Sequence, residues 1–293
     1  MTSPPDVRPI VVGIDPDPSN RLALAWAADE ADRRRLPLRL VHTRQAPPAR
    51  YRTAEPTTAW DTWDEALRLL GTRALEQAEA FVGDRRPHVE VSVLLAEGDA
   101  AAVLRGQAQE AAALVLGSRH LTAVEELARS LAVAVPVIAH AHCPVIVVRE
   151  AEHVPQQPPL LVVGVDGSPD SQTAVDYAFE EAALRGAGLR ALYVWHPPLL
   201  GALDEQAAQE ECHRLLSETV VGRSAAYPDV ELHHEVVRGH PVKVLTEASA
   251  QTLGLVVGTR GLGGFTGLLL GSVSQGVLHH ALCPVMVVPR PEH

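Results

Sequence analysis

The chain repeats itself, and the repeat limits the fold more than any other feature does. Ile10-Val-Val-Gly-Ile-Asp15 returns as Leu161-Val-Val-Gly-Val-Asp166. Leu114-Val-Leu-Gly-Ser-Arg119 returns as Leu255-Val-Val-Gly-Thr-Arg260, and Cys143-Pro-Val-Ile-Val-Val148 returns as Cys283-Pro-Val-Met-Val-Val288. Three matches in the same order, at offsets of 151, 141 and 140 residues, mark a duplication. The 293 residues therefore divide into two similar domains of ordinary size, 1–150 and 151–293. Residues 150–159, with Pro155, Gln156, Gln157, Pro158 and Pro159, read as the linker.

Each half alternates short Val, Ile and Leu runs with longer helical stretches. Such runs suit parallel strands buried on both faces. In the second half the pattern predicts strands near Leu160–Asp166, Leu189–Trp195, Val230–Val237, Gly254–Gly258 and Pro284–Val288. Helices are predicted near Ser168–Arg185, Ala202–Ala225, Pro241–Ala250 and Ser272–Ala281, and near Trp60–Val82 in the first half. Ser168-Pro169 is a helix start, since the hydroxyl can cap and proline suits the first helical position. Strand–helix alternation implies an α/β protein: two tandem open parallel five-stranded sheets with helices on both faces.

Composition removes several function classes. The net charge of −11, from 36 acidic and 25 basic residues, repels a phosphate backbone, and no local basic face is visible, so nucleic acid is not an expected partner. Lys243 is the only lysine, which leaves chemistry based on a lysine nucleophile with a single candidate. No apolar run reaches the ~18 residues that cross a bilayer, and no signal peptide is expected, since Met1 to Asp6 lacks a basic patch followed by an apolar stretch. No membrane partner is therefore expected. Three cysteines, Cys143, Cys212 and Cys283, are too few for a disulfide framework. A cytoplasmic setting is expected.

In open α/β sheets ligands bind beyond the carboxyl ends of the strands, where strand order reverses. The loops after the first and fourth strands of the second half are then the places of interest. One reads Asp166-Gly-Ser-Pro. The other runs Gly258-Thr-Arg-Gly261-Leu-Gly-Gly-Phe-Thr-Gly267-Leu-Leu-Leu-Gly271-Ser-Val-Ser274, with six glycines in its first fourteen residues. Glycines let backbone N–H groups approach phosphate oxygens, and the helix start that follows adds partial positive charge. Ser272 and Ser274 offer hydroxyl donors.

Gly258, two residues, Gly261, nine residues, Gly271 and then Ser272 match the G-2x-G-9x-G-(S/T) signature of ATP-binding universal stress proteins. Over about residues 8–149 and 160–289 the chain resembles that family in its tandem form. The resemblance implies an ATP-binding sensor or regulator of the stress response. It places Asp166 beside the ribose and phosphates, and Val194 against the adenine through its backbone. The phosphates would lie on Gly258, Gly261, Gly271, Ser272 and Ser274, with any magnesium held mainly by phosphate oxygens. The first half keeps Asp15 and Gly117 but departs elsewhere. His120 replaces the second glycine, Leu131-Ala132 replace Gly271-Ser272, and Glu125 and Glu126 bring negative charge, although Arg119 and Arg129 oppose it. One ATP per chain is expected, in the second half.

Rival readings remain open at this point. Asp166-Gly-Ser-Pro-Asp-Ser171 faintly resembles the S-G-G-x-D-S loop of ATP pyrophosphatases and adenylyl-transferring enzymes, but lacks its leading serine and second glycine. A nucleotide-free interaction protein is the other alternative. There is no Gly-Lys dipeptide for a Walker-type loop and no G-x-S-x-G elbow. Neither His233-His234 nor His279-His280 suits a shared metal, because adjacent side chains diverge. No catalytic residue and no metal site are assigned. Hydrolysis needs a positioned base, and Asp166 is the acidic candidate near the phosphates, so fast turnover is not expected. Val145–Val148 and Val285–Val288 would expose edges, and the two halves are expected to pair through them. Two chains could then associate as a homodimer.

Overall fold

A computed structural model describes residues 7–16, 21–44, 58–118, 132–149, 157–195, 205–261 and 270–290. The chain forms two compact units, Met1–Cys143 and Pro144–His293. The first holds β1 (Ile10–Gly13), α1 (Arg21–Arg34), β2 (Leu38–Arg44), α2 (Thr58–Arg85), β3 (Val91–Glu97), α3 (Ala100–Ala108) and β4 (Ala113–Ser118), then a short helix α4 over residues 132–138. Its strands run in the order β3-β2-β1-β4, all parallel.

The second unit begins with β5 (Val145–Arg149) and continues through β6 (Leu160–Val165), α5 (Pro169–Arg185), β7 (Gly188–Trp195), α6 (Glu205–Val220), α7 (Arg223–Ala226), β8 (Leu232–Arg238), α8 (Pro241–Ala248), β9 (Gly254–Gly258), α9 (Ser272–His280) and β10 (Val285–Val288). Strands β10-β9-β6-β7-β8 are parallel, as the sequence pattern predicts. On the far side of β10 lies β5, antiparallel, with Val285 opposite Val147 and Val287 opposite Val145. The fifth strand of the first repeat thus belongs to the second compact unit. A four-residue Val-Met-Val-Val strand would otherwise leave its ladder groups unpaired on that side.

Burial follows strand position. The residues of β9 and β10 are all buried, as are most of β6, whereas the outer strands β3 and β8 are half exposed. That is why the inner strands read as unbroken apolar runs. The helices pack their small apolar side chains on the sheet: Ala174, Val175, Ala178, Phe179 and Ala182 from α5 are buried. A carboxylate repeats with the fold. Glu30 bonds Arg34 at 2.5 Å, and its duplicate Glu181, fully buried, bonds Arg185 at 2.8 Å. Among the described residues no helix is long and apolar enough to cross a membrane.

The chain reverses its winding direction at β6. From β6 it runs outward to β7 and β8, then returns to place β9 on the other side. The carboxyl ends of β6 and β9 therefore open a crevice between diverging connections. α5 starts at that crevice as the Ser-Pro signal predicts. Ser168 accepts a hydrogen bond from Ser171 N at 3.2 Å, and Pro169 occupies the first turn. Gly186 ends the helix in the left-handed region at φ 59°. Ser168→Ala should cost the second unit about 1 kcal/mol of unfolding free energy in urea, the usual loss on removing a serine cap. An unchanged unfolding curve would show that the hydroxyl does not cap α5.

Candidate functional site

Asp166 directly follows β6 and folds back on the helix start, where its Oδ1 accepts from Ser168 N at 3.0 Å. Gly167 takes φ 82° at this turn, a conformation that favours glycine. Four residues later Asp170, in the first turn of α5, reaches across the crevice. Its Oδ2 accepts from Thr259 Oγ1 at 2.9 Å and from Arg260 N at 3.1 Å. One carboxylate thus ties the helix after β6 to the loop after β9. The approach is close enough to require Gly258. A Cβ there would sit 3.0 Å from the Asp170 carbonyl and Cβ.

The loop is also closed on itself. Gly271 N donates to Thr259 O at 2.9 Å, and Ser274 Oγ donates to Gly258 O at 2.7 Å. A Cβ on Gly271 would stand 3.2 Å from Thr259 O, tighter than ordinary contact. Gly261 faces Asp166, and a Cβ at that position would collide with Asp166 Oδ2. Residues 262–269 of the loop lie outside the described residues. These two closures set the start of α9. Its first internal backbone bond described here runs from Gln275 N to Gly271 O at 2.9 Å. The amides of Ser272, Val273 and Ser274 precede it and have no intrahelical acceptor.

Between these parts lies a cavity of about 230 Å³. Leu192 and Val194, two residues apart on β7 and so on one face of the sheet, form an apolar wall with Leu245 and Val257. Gly164 lets Leu245 pack onto β6, since a Cβ there would be 3.2 Å from the leucine. At the other end Asp166, Arg260, the three signature glycines and the start of α9 make the lining polar. All seven residues expected from the sequence, Asp166, Val194, Gly258, Gly261, Gly271, Ser272 and Ser274, line this one cavity.

The universal stress protein family profile matches residues 6–149 and again 160–289. The chain belongs to the universal stress protein family. A universal stress protein of Mycobacterium tuberculosis (strain ATCC 25618 / H37Rv) is 36% identical over 297 residues, covering 98% of this chain and 99% of its own. One from Mycolicibacterium smegmatis is 36% identical over 295 residues, with 96% and 97% covered. Among solved structures, a universal stress protein from Archaeoglobus fulgidus superposes with a TM-score of 0.65 at 16% identity, over 98% of both chains. A universal stress protein solved in complex with cAMP is 29% identical, covering 45% of this chain with a TM-score of 0.38.

Within the family framework, several details refine the sequence reading. Ser274 is expected as a hydroxyl donor toward a ligand, yet it is buried and donates its proton to Gly258 O. Ser272 is exposed at the mouth. Asp170, Thr259 and Arg260 are not among the expected site residues, although they hold the loop. A second aspartate in Asp166-Gly-Ser-Pro-Asp170 was their visible signal, because a first-turn carboxylate seeks amide donors. The apolar wall from Leu192 and Leu245 reads in sequence only as core. In the first repeat, Asp15 follows β1 and Gly117 lies in β4. Arg119, His120, Glu125, Glu126, Arg129 and Leu131 lie outside the described residues.

All three cysteines are buried. Burial pushes Cys143 up to about 12 and Cys283 up to about 11, and burial also raises Cys212. The glycine contacts give a stability test. Gly258→Ala should destabilise the second unit by about 1–3 kcal/mol, because the neighbours it meets are backbone and cannot yield. Gly261→Ala should cost clearly less, because the atom it meets ends a movable side chain. Urea unfolding of both variants checks this, and equal losses would refute the distinction.

Proposed function

We propose that the second repeat binds ATP, and that the protein acts as a nucleotide-dependent sensor or regulator in stress responses, not as a fast enzyme. One observation carries the reading: an apolar wall and a row of open helix-start amides line the same cavity. A purine is flat and apolar on its faces, which suits Leu192 and Val194, and in this reading the Val194 backbone meets its edge. A phosphate is anionic and needs converging donors, which suits the α9 start and the close-packed glycine loop. The amides of Ser272 and Val273 and the backbone of Gly258, Gly261 and Gly271 are the phosphate contacts in this reading. Asp166, at the polar end, is the acceptor for a ribose hydroxyl in this reading.

Magnesium fits in a subordinate role. Asp166 is the one carboxylate among the described residues that line the cavity, so these residues offer a single anionic donor group there. That matches an ion carried chiefly by phosphate oxygens, as magnesium usually is, with Asp166 as its protein ligand. When bound, the ion would neutralise phosphate charge beside that carboxylate. Arg260 is the only cation on the described lining. A site with one carboxylate and one arginine binds and orients a nucleotide, whereas rapid phosphoryl transfer needs further charge stabilisation and a positioned base.

The first repeat is proposed not to bind ATP, on the strength of its acidic, side-chain-filled loop sequence. Titration calorimetry on the intact chain should give one ATP per chain, and the nucleotide retained on purification should be identifiable by mass. Gly261→Val should lower ATP affinity more than tenfold while the protein stays folded. Absence of binding by the unmodified chain would overturn the nucleotide reading. Two sites of equal affinity would overturn the assignment to the second repeat alone.

A further inference from the structure

The helix that presents its N-terminus to the cavity is poorly equipped to stand alone. α9 has nine residues, shorter than helices that persist by themselves in water. Gly276 lies inside it because α8 packs against that point, where a Cβ would come 2.5 Å from Val242 Cγ2. Glycine there weakens the helix. Gly271 at its N-cap offers no side-chain acceptor, and Ala281 at its C-cap is extended, with no left-handed glycine to satisfy the last carbonyls.

Those carbonyls are satisfied from elsewhere. Arg149, the final residue of β5, donates from Nη2 to Leu278 O and from Nη1 to His279 O at 2.8 Å, with Ala281 O at 3.5 Å. These are the acceptors that a helix end leaves open, and a cation there also complements the helix dipole. Arg149 is half buried, and its Nε has no hydrogen-bond partner. Burial alone pulls its pKa down, with no carboxylate contributing. A guanidinium placed at such expense has a specific target. The repeats differ here, since Pro289 occupies the place in the second repeat that Arg149 occupies in the first.

We propose that Arg149 is a positioning residue for phosphate binding: it caps α9 from the last strand of the first repeat and so sets how well the opposite end of α9 holds an anion. This rests on the nucleotide reading above. It also gives the first repeat a task in a site that its own loop does not build. The cap acts on the phosphate end of the cavity, because α9 contributes Ser272, Val273 and Ser274 there. It leaves the apolar wall alone, because Leu192, Val194 and Leu245 belong to β7 and α8.

That division makes the proposal testable with ATP and adenosine as paired probes. Arg149→Met keeps an unbranched apolar stem and removes the charge and donors. It should weaken ATP about tenfold in calorimetry while changing adenosine affinity less than twofold, and Arg149→Lys should recover part of the loss. Hydrogen exchange should quicken across residues 272–280 in Arg149→Met and stay unchanged across 241–248. Equal losses for ATP and adenosine would mean a merely structural arginine and would overturn the proposal. So would an Arg149→Met variant that binds ATP like the unmodified chain. An unmodified chain that binds neither probe would overturn the nucleotide reading first, and this proposal with it.

Discussion

The carboxylate of Asp170 joins two connections that parallel topology would otherwise leave to diverge. A chain that winds outward from β6 and then returns on the other side opens its carboxyl-end loops away from each other. Something must fix their separation before a ligand can be held between them. Asp170 accepts from both Thr259 and the Arg260 amide, which sets that distance in a single step. Bonds to a charged acceptor contribute roughly 1.5–3 kcal/mol each, enough to hold a loop whose other closures are ordinary amide and hydroxyl bonds. The Gly258 contact follows from this tie: where a carboxylate pulls two backbones together, no Cβ fits between them.

The signature glycines therefore have a reason in the protein itself, apart from any ligand. None of Gly258, Gly261 and Gly271 is among the residues with positive φ, so conformational freedom does not explain them. Each stands where a neighbour comes too near: Asp170 for Gly258, Asp166 for Gly261, and Thr259 with Arg260 for Gly271. The loop is folded tightly around two aspartates.

This explains what the sequence made legible and what it hid. The duplication, the strand runs and the Ser168-Pro169 start were readable because each is a local pattern with a local cause. Six of the seven expected residues were open to sequence reasoning because they fall in and just after two loops, at the strand ends where a parallel sheet collects its ligands, whereas Val194, on β7, came from the family resemblance alone. Leu192 and Leu245 were hidden, since an apolar cavity wall and an apolar core follow the same periodicity. The bonding partner of Ser274 was hidden too, because a hydroxyl after a glycine loop reads equally as a ligand donor or as a pin for Gly258 O. Arg149 could not be assigned a partner from sequence, as its acceptors lie 129 and more residues away and are backbone carbonyls, which carry no sequence signature.

Duplication supplied two copies of every position, and the differences between copies mark where the constraints parted. Gly186 ends α5 at φ 59°, whereas its duplicate Arg35 takes φ 54° with a side chain, an arrangement that costs roughly 1–2 kcal/mol in an L-residue. Arg149 and Pro289 part more sharply. Proline at the end of β10 has no amide to give and no charge, which suits a strand that simply stops. Arginine at the end of β5 costs desolvation, and that cost persists only if the bonds it makes exceed it. Its acceptors are the carbonyls of a nine-residue helix with an internal glycine, a helix that close packing against Val242 prevents from using alanine at that position. The glycine that seats α9 on α8 weakens the helix by roughly 1 kcal/mol. A partly buried cation at a helix C-terminus returns up to ~2 kcal/mol. The two terms are of the same size, so β5 compensates at one end of α9 for what tight packing removes from its middle.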